Sequence, residues 1–201
     1  KLCKPLSFKI KRPKLDNEKI EKLTDDELKR LMQAIEADPN KDVGNMMKLA
    51  LFTGMRRGEL FNLQWKDIDH ERGFITILEP KSGKSQEIPM NEAAESVLKI
   101  QVKAKSKYVF PGKGGKKRTD ANKPANRIKK NAGLPEDFRP FHGLRHVFAS
   151  TAASSGKVDM YTLQKLLTHK TPTMTQRYAH LRDEALKKAS NVVGDIFSKV
   201  S

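Results

Sequence analysis

The stretch TMTQRYAHL, Thr173–Leu181, sets Tyr178 directly after Arg177 and two residues before His180. Two readings of that spacing are open. A tyrosine on a short helix packs its ring in the core and leaves its hydroxyl wet. A phenol held among cations can instead attack a phosphate. A second candidate for chemistry is the run His142-Gly-Leu-Arg145-His146. Histidines four apart share one helix face and could pair on zinc. The glutamate that such a pair needs is replaced by Gly143, and no third ligand is signalled, so no metal is expected. Arg56 and Arg57 precede Glu59, and Lys81 and Lys84 stand in EPKSGKS, where a lone lysine is most simply a solvated charge.

A phosphate partner agrees with the bulk charge. Of 201 residues, 40 are Lys or Arg against 24 Asp or Glu, a formal net charge of +16. An excess of that size points to a polyanion, most often nucleic acid. With Cys3 as the single cysteine, an internal disulfide and a cysteine-based zinc finger are both excluded. No apolar run reaches membrane-spanning length and no signal peptide opens the chain, so a soluble cytoplasmic protein is expected.

These residues need elements to position them. The opening KLCKPLSFKIKRPKL mixes proline with scattered cations and reads as an extended basic linker. Thr24 and Glu27 form a capping box for a helix with Leu28, Leu31, Met32 and Ile35 on one stripe. MMKLALFTGMRRGELFNL is helical but broken at Thr53-Gly54, with Gly54 as a helix C-terminus and a helix resuming over Glu59 to Leu63. GFITILEPKSGKSQEIPM changes period and reads as a β-hairpin with Lys81 to Ser85 near its tip and Pro89 at a strand end. Further helices are predicted from Asn91, over Ala121 to Asn131, in GLRHVFASTAAS, after Asp159 as N-cap, and from Pro172 with Thr171 as cap. The tail from Asp183 to Val200 is amphipathic, with Leu186, Ala189, Val193 and Ile196 on one stripe. The expected fold class is mainly α with one small antiparallel β-hairpin sheet (α+β).

Three separated stretches resemble one known arrangement. TGMRRGEL (Thr53–Leu60) resembles the first arginine motif of the tyrosine recombinases, the phage-integrase family. HGLRHVFAS (His142–Ser150) resembles their His-x-x-Arg motif. LLTHKTPTMTQRYAHL (Leu166–Leu181) resembles the block that holds a later histidine and, nine residues on, the nucleophilic tyrosine. The order and the intervening lysine hairpin agree as well, from about Asn17 to Leu181. One departure stands out: Thr168 occupies a place that is glycine in many members.

The resemblance implies a site-specific recombinase or integrase. Tyr178 would cleave one DNA strand to a 3′-phosphotyrosyl link, and strand exchange would follow through a Holliday junction in a tetramer on double-stranded DNA. Arg56 and Arg145 would be guanidinium forks on the phosphate, with Glu59 orienting Arg56, since planar forks match non-bridging oxygens better than ammonium points. Lys81 would protonate the leaving 5′-hydroxyl, and Lys84, Lys170 and Arg177 would contact DNA. His142 and His169 would donate hydrogen bonds to the phosphate or exchange protons with the nucleophile. His146, His70 and His180 receive no role. No cofactor is implied, because the phosphotyrosine conserves the bond energy. Residues 1–16 are expected to link to an N-terminal core-binding domain outside this chain, and residues 17–201 to form the catalytic domain, with 181–201 as a helical tail. The rival readings are a type IB topoisomerase with the same tyrosine chemistry, or a non-catalytic protein using Asp159 to His180 as a helix-turn-helix.

Overall fold

The computed structural model describes residues 20–78, 85–101 and 105–198. Helix α1 (Asp25–Ala37) starts on the expected capping box: Glu27 N donates to Thr24 Oγ1 at 3.2 Å, and Thr24 N donates to Glu27 Oε2 at 2.8 Å. It stops at Asp38, which is extended because Pro39 disfavours a helical conformation before it. Helix α2 (Lys41–Thr53) follows immediately, capped by Asn40, and is buried on nearly every side. It ends at Gly54 in the left-handed conformation, φ 69°. A Cβ there would stand 2.7 Å from the Phe148 ring, so both the turn and the packing demand glycine.

Helix α3 (Arg57–Asn62) resumes with Arg56 at its N-cap. The sheet is one strand larger than the expected hairpin: β1 (Ile68–Asp69), β2 (Phe74–Leu78) and β3 (Ser85–Pro89) pair antiparallel in that order. A two-residue strand is too short to leave a period in the sequence. Ile75 and Ile77 alternate inward on β2 and Ile75 opposes the buried Ile88, while Pro89 closes β3 opposite Phe74, at the strand end.

Helices α4 (Glu92–Ile100), α5 (Asn122–Asn131) and α6 (Pro140–Ser154) complete the larger core, with α2 packed on α4, α5 and α6. Helix α6 begins three residues earlier than GLRHVFASTAAS suggests, because Pro140 serves as its first residue. Its Gly143 is a close-packing glycine, since a Cβ would lie 2.7 Å from the Phe138 ring. The chain then forms α7 (Met160–Leu166), α8 (Thr173–Gln176), a 3-10 turn over Ala179–Arg182, and α9 (Asp183–Ser198). Pro172 already has helical angles, as expected, but α8 lasts a single turn.

Among the described residues two apolar clusters separate. Thirty buried residues from Leu31 to Val147 form one, and Ala149, Ala153, Leu163, Leu167 and Tyr178 form the other. Leu186 and Ile196 of α9 are exposed, together with Val192 and Phe197, while the side chains of Ala189 and Val193 lie outside those described. No described helix is long and apolar enough to cross a membrane.

Asp38 ties α1 to α5. Its buried carboxylate accepts from Arg127 Nε and Nη2, both at 2.8 Å, and from Asn40 N at 2.8 Å. The Arg127 hydrogen bonds hold the carboxyl below its ordinary value against the opposing pull of burial. A depressed carboxylate stabilises the fold above its unfolded pKa and loses that contribution as pH falls through the folded one. Asp38→Asn is therefore expected to lower the Tm by a few degrees at pH 7, with the gap to wild type closing in acid. A gap that stays constant with pH would reject this assignment.

Candidate active site

The site forms where two helix C-termini meet the face of α6 that presents His142, Arg145 and His146. Spacings of three and four bring these side chains together on one side of a helix. Arg145 is buried, and its Nη1 donates to the carbonyl of Gly54 at 2.6 Å while Nη2 donates to the carbonyl of Leu167. These carbonyls cap α2 and α7, the partially negative ends of both helices, which explains how a buried guanidinium is tolerated. Burial and the nearby Arg56 push Arg145 down to about 10, so it stays charged at neutral pH. Two of its five N–H donors are committed, leaving three for a ligand.

Arg56 reaches the same place from the other side. Glu59 lies three residues on, as the sequence suggests for an orienting partner, and its carboxylate holds Arg56 twice. Oε2 accepts from the backbone N and Oε1 from Nη1, both at 2.7 Å. Arg56 Nη1 also donates to Thr168 Oγ1 at 2.7 Å, and Nη2 to the Thr168 carbonyl at 3.3 Å. Arg57, next in sequence, is exposed and turned toward Asn122 instead.

Thr168 explains its own departure from glycine. Helix α7 closes with Thr168 N donating to Lys165 O at 2.9 Å and His169 N donating to Gln164 O at 3.0 Å, the paired bonds of a Schellman end. That motif requires a left-handed residue, and Thr168 has φ 49°, alone among described non-glycine residues in having a positive φ. A β-branched residue there is strained by about 1–3 kcal/mol; its hydroxyl is the compensation, because it accepts from Arg56. Thr168→Gly removes both the strain and the bond and is expected to match wild-type stability within about 1 kcal/mol. Thr168→Val keeps the strain without the bond and should be the least stable of the three by about 1–2 kcal/mol. Chemical denaturation orders them, and a valine variant as stable as wild type would contradict the account.

His169 follows immediately, its Nδ1 2.8 Å from Thr175 Oγ1. Burial, then Arg145, Arg56 and Arg177, push it down to about 3. Tyr178 is 3% exposed, its ring in the smaller cluster and its hydroxyl 2.8 Å from His146 Nδ1. His146 Nε2 in turn lies 3.0 Å from His142 Nε2. Burial pushes His146 down to about 4, with His142 adding to it, and burial followed by Arg139 lowers the more exposed His142. All three imidazoles are thus neutral at pH 7, as a pocket already rich in guanidinium would dictate.

Five of the nine residues singled out in the sequence, Arg56, His142, Arg145, His169 and Tyr178, come together. Lys170 is exposed on the rim of a cleft of about 700 Å³ bounded by Arg56, Glu59, Thr76, Leu78 and Met174. Arg177 is half-buried and close enough to His142, His146 and His169 to depress all three. A second cleft, about 620 Å³, opens over Arg56, Arg57, Asn126, Arg139, His142 and Arg145. Lys81 and Lys84 lie outside the described residues. No cluster of described residues could hold a metal ion. Sequence reasoning missed His146, although its spacing from His142 put it on the same helix face, and it missed Thr175 and the two carbonyls, which leave no trace in the sequence. The helix-turn-helix alternative is not favoured, because its second helix would be the four-residue α8, too short to lie along a major groove.

The sequence model of the phage integrase family matches residues 21–185. The integrase of Salmonella phage P22 is 34% identical over 204 residues, which cover 94% of this chain and 51% of that protein. Among solved structures, the XerH site-specific recombinase bound to palindromic difH substrate, a post-cleavage complex, superposes with a TM-score of 0.69 at 27% identity, covering 87% of this chain and 54% of that one. The catalytic domain of bacteriophage HP1 integrase superposes with a TM-score of 0.66 at 27% identity, covering 86% of this chain and 95% of that domain. The chain spans 51–64% of the length of the P22 integrase and two other curated relatives.

Proposed function

This chain belongs to the phage integrase family, and on that premise we propose that it is the catalytic portion of a site-specific DNA recombinase whose nucleophile is Tyr178. The observation that carries the reading is the convergence of Arg56, Arg145, His169 and Tyr178, from three separate stretches of the chain, beside a basic cleft. Residues 1–16 act as a basic linker, residues 17–201 as the catalytic domain, and 181–201 as its helical tail.

Arg56 and Arg145 bind the non-bridging oxygens of the scissile phosphate with the N–H donors their protein partners leave open. Each preorganised donor of this kind lowers the barrier by about 3 kcal/mol. His142 and His169, as neutral imidazoles, donate further hydrogen bonds. The phenolic oxygen of Tyr178 attacks phosphorus, the P–O5′ bond breaks, and Lys81 supplies the proton that makes the 5′-hydroxyl a competent leaving group. The product is a 3′-phosphotyrosyl enzyme. Attack on it by the 5′-hydroxyl of a second duplex rejoins the strands, so exchange proceeds through a Holliday junction without ATP or metal. Lys84, Lys170 and Arg177 hold flanking phosphates, which makes binding salt-dependent. Four copies assemble on two duplexes.

Covalent capture tests this directly. The protein is mixed with nicked duplex DNA, detergent-resistant adducts are isolated, and the modified peptide is identified by mass spectrometry. DNA attached to Tyr178 through a 3′-phosphate is the expected result; attachment elsewhere, or binding with no adduct under any condition, would overturn it.

A further inference from the structure

His146 has no place in the chemistry above, yet its ring is within hydrogen-bond distance of the Tyr178 hydroxyl. It is 3% exposed on α6, its Nδ1 2.8 Å from that oxygen and its Nε2 3.0 Å from Nε2 of His142. The rings of His142 and His146 stand edge to face, with centroids 4.6 Å apart. Every nitrogen of His146 is therefore engaged, and His142 continues the chain of contacts out to the cleft it shares with Arg145.

A neutral imidazole has one N–H and one lone pair, so the hydrogen-bond directions along this row are linked. When the phenol donates to His146 Nδ1, His146 Nε2–H must donate to His142 Nε2, and His142 has its proton on Nδ1, facing outward. When every direction is reversed, His142 Nε2–H donates to His146 Nε2, and His146 Nδ1–H donates to the phenol oxygen. The second arrangement suits a phenolate, and it differs from the first by one proton delivered at the outer end.

We propose that His146 is the proton acceptor for Tyr178, passing the phenolic proton through His142 to the cleft as the tyrosine attacks. This rests on the reading of Tyr178 as nucleophile. The phenolic O–H bond breaks and an Nδ1–H bond forms on His146. The Nε2–H of His146 moves to His142 Nε2, and the Nδ1 proton of His142 leaves to solvent. The electron pair freed on oxygen makes the bond to phosphorus. Strand rejoining runs the row backwards and returns a proton to the phenol. The charged groups facing His146 are Glu21, Arg139 and Arg177, with His142 and Tyr178 in contact. Burial and His142 keep it unprotonated at neutral pH, so its lone pair is available.

The test compares adduct formation on nicked duplex by wild type and His146→Asn. Asparagine places an acceptor near the position of Nδ1 but cannot take up a proton. The variant is expected to bind DNA as wild type does and to form adduct about 10²–10³-fold more slowly at neutral pH, the range of a lost general base. Its rate should rise in proportion to hydroxide where the wild-type rate is flat, between about pH 6 and pH 8, because the phenol must then ionise unaided. Replacing Tyr178 with a more acidic fluorotyrosine should restore the variant far more than it changes wild type. A variant within threefold of wild type, or one slowed equally at every pH and not rescued by fluorotyrosine, overturns the proposal. If His146→Asn does not fold, a proton inventory of the wild-type rate in mixtures of light and heavy water decides, on a substrate with sulfur at the 5′-bridging position, whose departure needs no proton: the three transfers of the row give a curve, and a straight line rejects the relay. Adduct on a residue other than Tyr178 defeats the underlying reading itself, whereas adduct on Tyr178 with a fully active His146→Asn defeats only the relay.

Discussion

Tyr178→Phe is expected to abolish the covalent DNA adduct outright while leaving fold and DNA affinity in place. The ring stays in its cluster with Ala149, Ala153, Leu163 and Leu167, so the apolar burial is unchanged. The bond to His146 Nδ1 is removed, worth about 1 kcal/mol, and a neutral imidazole nitrogen is a mild group to leave unpaired. Affinity comes from cations that the substitution does not touch. Neither of the other two tyrosines can stand in: Tyr161 is 67% exposed and stacked on Lys165, and Tyr108 bridges to Gln64. Denaturing gels for adduct and gel shifts for binding separate the two consequences. Adduct persisting in the phenylalanine variant would sink the assignment of Tyr178.

Arg145→Ala is the second large effect, and it strikes stability and rate together. Gly54 and Leu167 each lose the donor to their capping carbonyl. Buried acceptors left unpaired cost about 1–3 kcal/mol each, so a loss of about 3 kcal/mol or more is expected, a sizeable share of a typical folding free energy. On DNA the variant also lacks a phosphate fork, and adduct formation should fall at least about 10²–10³-fold beyond what instability explains. Arg145→Lys separates the two. An ammonium can satisfy one carbonyl and recover part of the stability, but as a point charge it cannot span both carbonyls and still fork a phosphate. Guanidinium unfolding and adduct rates at a temperature where all variants are folded provide the comparison; a lysine variant with wild-type rate would reject the fork.

What the residues themselves made legible was local, and the grouping of Arg56, His142, Arg145, His169 and Tyr178 came only through the family resemblance. The capping box of Thr24 and Glu27, the Asp159 cap, the stop at Gly54 and the hairpin alternation are each fixed within a few residues. Arg56 could be told from Arg57 because it takes the fourth position of the family-like TGMR, with Glu59 three residues on to orient it. What escaped were contacts that only folding creates. Arg145 meets Gly54 across 91 residues, Arg56 meets Thr168 across 112, and His146 meets Tyr178 across 32. The glycine-to-threonine departure at position 168 was visible, but its meaning was not, because the compensating partner comes from the other end of the domain. The short β1 was missed for a simpler reason, that two residues establish no period, and the helix expected from Pro172 was foreseen in place but not in its single-turn length.

On the proposed function, the unequal size of the two apolar clusters has a consequence for when the molecule would be dangerous to DNA. Tyr178 and Leu167 belong to the cluster of five buried residues, whereas Gly54, the other anchor of Arg145, ends α2, whose buried apolar residues belong to the cluster of thirty. Cooperative units with few buried contacts open at a fraction of the global unfolding free energy. Opening of the smaller unit alone would carry away the nucleophile and one carbonyl of the arginine cradle while the sheet and most helices stay folded. On the proposed reading of Tyr178 as nucleophile, cutting competence would then be set by how firmly this small cluster docks, and whatever grips that region from outside would decide how often the blade is closed.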